Sequence, residues 1–110
     1  MPEIIARREL IAVSSSGKRF PVTIELGKPI STSGRNENWE CHLSITPPLM
    51  HRPMNVRGYD ALQALCLAVS LAYFHLREFL GSGGRLTYRD SGEDFVLDDP
   101  FLELGRKGSR

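Results

Sequence analysis

The stretch that decides the fold is Gly58 to Leu80, GYDALQALCLAVSLAYFHLREFL. It is the most apolar run in the chain. A membrane span needs about 20 nearly uncharged apolar residues, and Ala61 to Leu80 has that length. Its content argues against a span, because Gln63, Ser70, His75, Arg77 and Glu78 interrupt it. Its ends are also marked. Asp60 suits a helix N-cap, and Gln63 three residues later completes a capping-box pattern with Asp in place of Ser or Thr. Gly81 follows the last apolar residue and suits the left-handed position just past a helix end. GSGG (81–84) then breaks the chain. The reading is one bounded helix over about residues 60–80, part of a core.

Within it, Leu62, Leu65, Val69, Ala72, Leu76 and Phe79 recur at three- and four-residue steps and form one stripe. Ala61, Ala64, Ala68 and Leu71 lie beside that stripe, and small residues there let a helix approach a sheet closely. Gln63, Ser70 and Arg77 mark the far side, and Leu67 and Phe74 lie among them. One sheet cannot cover both sides of a helix. Either a C-terminal hairpin covers the back or a second molecule does.

Outward from the helix, the chain reads as strands. FPVTIELG alternates, with Phe20, Val22, Ile24 and Leu26 on one side and Thr23 and Glu25 on the other. NWECHLSIT does the same, with Trp39, Cys41, Leu43 and Ile45 inward and Glu40, His42 and Ser44 outward. EIIARRELIAV is rich in Ile and Val but alternates poorly, which predicts a bulge or a twist. SSSGKR joins it to the next strand as a hairpin turn. The three make an antiparallel meander. PPLMHRPM (47–54) holds three prolines, so it is a loop leading to a short edge strand near Val56. After the helix, RLTYRDSGEDFVL predicts a second hairpin, with Leu86 and Tyr88 before a turn at Asp90–Gly92 and Phe95 and Leu97 after it.

Length and composition bound the rest. The chain has 110 residues, 41% hydrophobic and 25% charged, the make-up of one soluble domain with a core of its own. A net charge of +1 gives no global field to recruit nucleic acid or an anionic membrane. Residues 1–89 hold 11 Lys and Arg against 7 Asp and Glu, and residues 90–110 hold 3 against 6. The acidic end is expected to fold back on a mildly basic body. The N-terminus has no basic segment leading to an apolar one, so the default setting is the cytoplasm. Cys41 and Cys66 make neither a disulfide framework nor a zinc spacing.

The order WECHLSI, then GYDALQALCLA, resembles a family of small uncharacterised bacterial proteins that carry a domain of unknown function. In that family an ARREL-like first strand, a VTIxLGxP strand, a WxC strand and a GxDxLQAL helix follow one another. Here these are Ala6 to Leu10, Val22 to Pro29, Trp39 to Cys41 and Gly58 to Leu65, within roughly residues 5 to 80. The loop PPLMHRPM is richer in proline than the family pattern. The resemblance implies bacterial origin and no established activity, so it transfers no catalytic residue.

Four chemistries can be weighed on the residues alone. Glu40 and His42 stand two apart on one strand and share a face. Glu25 from the neighbouring strand, with Arg7 or Arg8 from the first, can join them, and a carboxylate beside an imidazole is competent for acid–base work. The wet face of any antiparallel sheet looks the same. His42, His51, His75 and the two cysteines offer ligand atoms, but Cys41 points opposite to His42, so no metal is expected. Cys66 sits between leucines, where burial leaves a thiol inert. Arg35, Arg52, Arg57, Arg85 and Arg89 lie in loops or loop ends, yet Trp39 is inward and no nucleic-acid signature accompanies them.

The sequence therefore predicts one α+β domain over residues 1–104, with 105–110 as a frayed tail. An antiparallel sheet of four to six strands packs one face on a single long helix, which follows the first three strands and a short fourth and precedes two more. No cofactor, metal, membrane or nucleic acid is implied. The expected role is a non-enzymatic interaction module, used as a homodimer or bound to another protein. Its motive is surplus apolar surface: Leu67 and Phe74 on the helix, and Leu49, Met50 and Met54 in the loop. The alternative is a small-molecule binder or enzyme on the open sheet face around Glu25, Glu40 and His42.

Overall fold

The computed structural model describes residues 2–32 and 38–95. In chain order these form β1 (Ile4–Val13), β2 (Arg19–Gly27), β3 (Ile30–Ser31), β4 (Trp39–Ile45), β5 (Met54–Gly58), α1 (Ala61–Gly81) and β6 (Arg85–Tyr88). The six strands make one sheet, every pairing is antiparallel, and the one helix packs against it. This is the expected α+β architecture.

β4 has two edges, and the register assigns them. Leu43 pairs with both Leu26 of β2 and Met54 of β5, while Glu40 pairs with both Ile30 of β3 and Arg57 of β5. β2 and β3 therefore lie on one edge of β4 and β5 on the other. β3 continues β2 after the break at Lys28–Pro29, with the register shifted by one. Across the sheet the order is β5, β4, β2 with β3, β1, β6. The bulge expected in the first strand is present between Ile4 and Ala6.

The hairpin turn at SSSGK closes through Ser14 N–H to Lys18 O and Gly17 N–H to Ser14 O, both 2.8 Å, with Gly17 at φ 92°. The second hairpin forms where expected. β6 pairs with β1, and its other edge is met by Glu93–Phe95, through Tyr88 N–H to Glu93 O and Phe95 N–H to Leu86 O. Leu97 and the 105–110 tail lie outside the described residues.

The strand alternation carries into burial. Cys41, Leu43 and Ile45 are buried and the residues between them are not. Leu10, Ala12, Val22, Leu43 and Leu86 join Ala64, Ala68, Ala72 and Leu76 of α1 in one core. Full burial of a leucine such as Leu43 stabilises the fold by about 1.5–3 kcal/mol.

Three details of the helix differ from expectation. Its buried centre is the small-residue line Ala64–Ala68–Ala72–Leu76, not the line through Leu62, which is 69% exposed. At Ala64 the approach is close, since a Cβ on Gly58 would lie 2.4 Å from Ala64 N. The cap is Asp60, whose Oδ1 accepts Gln63 N–H at 2.8 Å, but Gln63 Oε1 reaches back to Tyr59 N–H rather than to Asp60. The helix runs through Gly81, and the left-handed residue is Gly83 at φ 98°. Gly83 N–H bonds to Leu80 O and Gly84 N–H to Phe79 O, the paired bonds of a Schellman ending.

Two residues expected on the surface are core. Leu49 is 9% and Met50 5% exposed. The proline-rich loop turns back on itself, with Leu49 N–H bonded to Thr46 O, and both side chains join the core cluster. Only Met54 of that trio stays exposed, at 43%.

Candidate functional site

Two surfaces remain as candidates: the outward side of α1 with the adjoining sheet edge, and the sheet face opposite α1.

α1 packs chiefly on β4 and β5 and touches β2 and β6 only lightly. Among the described residues the C-terminal hairpin does not lie over its back: β6 lies in the plane of the sheet beside β1. Leu67 is 44% and Phe74 50% exposed, and Tyr59 and Leu62 are exposed beside the start of the helix. By length and composition α1 is apolar enough to cross a membrane. Here one side of it is built into a sheet core, and the outward side carries Leu62, Leu67 and Phe74 among Gln63, Ser70, Arg77 and Glu78.

That surface borders a strand edge. Gly58 of β5 stands against the helix backbone: a Cβ on it would lie 2.4 Å from Ala64 N and 2.8 Å from Ala64 Cα. The side of α1 bearing Ala64 therefore rests on β5. Leu67, Leu71 and Phe74 follow Ala64 at three- and four-residue steps and share that side. Among the described residues β5 pairs only with β4, so its other edge offers free backbone groups. The sequence hinted at this edge in the three prolines before Met54. It did not show that the edge lies beside the Leu67–Phe74 side of the helix.

On the opposite face, Arg7 pairs with Glu25 at 2.7 Å and Arg57 with Glu40 at 3.4 Å. Arg89 pairs with Glu9. Arg8 points to the helix side instead, over the ring of Phe95 at 5.4 Å. Glu25, Glu40 and His42 do not converge. Glu25 stands opposite Ser44 in the ladder and lines a depression with Arg7, Thr46 and His51. Glu40 and His42 line a separate one of about 530 Å³ with Glu3, Lys28 and Asn55. Among the described residues the His42 ring has no carboxylate hydrogen bond to orient it. Both carboxylates expected to work with it are occupied by arginines. Gly27 packs closely beside His42, where a Cβ would stand 2.9 Å from His42 Cβ.

Metal and thiol chemistry find little support. Among the described residues no three His, Cys, Asp or Glu side chains gather as a metal site. Cys41 is buried on the helix side and its Sγ donates to Gly27 O at 3.3 Å. Burial pushes its thiol above the ordinary value of 9.0. Cys66 is half-buried and free.

The family model of a domain of unknown function, DUF6968, matches residues 6–98. Neither the curated proteins nor the solved structures contain a match to the chain.

Proposed function

The chain belongs to the DUF6968 family, a domain of unknown function, and from its own surfaces we propose that it is a protein-interaction module working through the outward side of α1. The observation that carries this is the half-exposure of Leu67 and Phe74, two large apolar side chains on a helix whose opposite side is already core. Large apolar side chains left exposed on such a helix favour contact with another protein. The proposal places the domain in the bacterial cytoplasm, where two unpaired thiols persist. It gives the domain a protein partner rather than a nucleic acid, a membrane or a metal. The sheet face around Glu25, Glu40 and His42 supports a catalytic reading less well, because the three residues line two separate depressions.

The test is the pair Leu67→Glu and Phe74→Glu, each followed by circular dichroism and sedimentation. Both variants are expected to fold as the wild type does and to lose association. Unfolding of both would make the surface a core and sink the reading.

A further inference from the structure

We draw no further inference here: the strongest candidate, the exposed apolar patch of Leu67 and Phe74 on the outward side of α1, carries nothing beyond the reading above, because nothing in the structure shows what covers it.

Discussion

Gly58 and Ala64 pack backbone to backbone: there is no room for even a methyl group on Gly58, since it would stand 2.4 Å from Ala64 N. The contact fixes how α1 leaves β5 and which side of the helix rests on the sheet. The colliding atoms are main chain of a capped helix and cannot swing aside as the end of a side chain would. Gly58→Ala should therefore lower stability by about 1–3 kcal/mol or more, as overpacking does. Urea unfolding monitored by circular dichroism measures it, and a variant as stable as the wild type would show that the helix is not seated on β5 in this way.

Asp60 is the second fixture of that corner. Its carboxylate accepts Gln63 N–H at 2.8 Å, and Gln63 returns a bond from Tyr59 N–H. Asp60→Ala removes the cap and should cost about 1 kcal/mol. Asp60→Asn, which keeps an acceptor, should recover most of it. Thermal melts of the two variants side by side separate loss of the acceptor from loss of charge.

The elements that were legible in the sequence are those whose signal is local. Val22 and Leu43 alternate with polar neighbours, so β2 and β4 and their inward faces could be read, as could the bulge in β1 and the cap at Asp60. What needed the structure was which neighbour fills which space. Leu62 sits at helical spacing from Leu65 and Val69, yet the buried centre of α1 is the line Ala64–Ala68–Ala72–Leu76, which leaves Leu62 outside. Leu49 and Met50 lie in a proline-rich loop, where apolar residues read as surplus surface; the loop turns back on itself and both join the core cluster. Leu67 and Phe74 were placed on the far side by periodicity alone, and they are half-exposed there. Glu25, Glu40 and His42 were correctly put on one face. Their separation into two depressions depends on the ladder register, which pairs Glu25 with Ser44 and which alternation does not encode.

The two thiols should behave differently. Cys41 is buried, and its thiol is raised by that burial above 9.0; Cys66 is half-buried. A thiol reagent should label Cys66 in the native protein and reach Cys41 only on unfolding. The raised value also sets a pH dependence. Below 9.0 the thiol is protonated in both states and its contribution is constant. As pH climbs past 9.0 the unfolded chain loses its proton first, so stability falls until the folded thiol ionises too. Cys41→Ala should be less stable at neutral pH, from the lost packing, but should lack this part of the alkaline decline. An unfolding series from neutral to alkaline pH on both proteins checks the difference in slope.

The glycines at the end of α1 give a contrast within three residues. Gly81 is helical, and a Cβ on it would meet nothing within 4 Å. Gly81→Ala should therefore stabilise the protein by about 0.4–1 kcal/mol, because alanine has less freedom to lose on folding. Gly83 is different. Its φ of 98° lies in the left-handed region, and a Cβ there would come within 3.1 Å of Ser15 Cβ in the first hairpin turn. Gly83 also supplies one of the two bonds of the Schellman ending, to Leu80 O. Gly83→Ala keeps the N–H but forces an L side chain into that conformation, at a cost of about 1–2 kcal/mol, and presses on Ser15 as well. The two substitutions should shift Tm in opposite directions, which a single thermal melt of each resolves. If Gly83→Ala were the stabilising one and Gly81→Ala the destabilising one, the helix would end at Gly81, as its sequence alone implies.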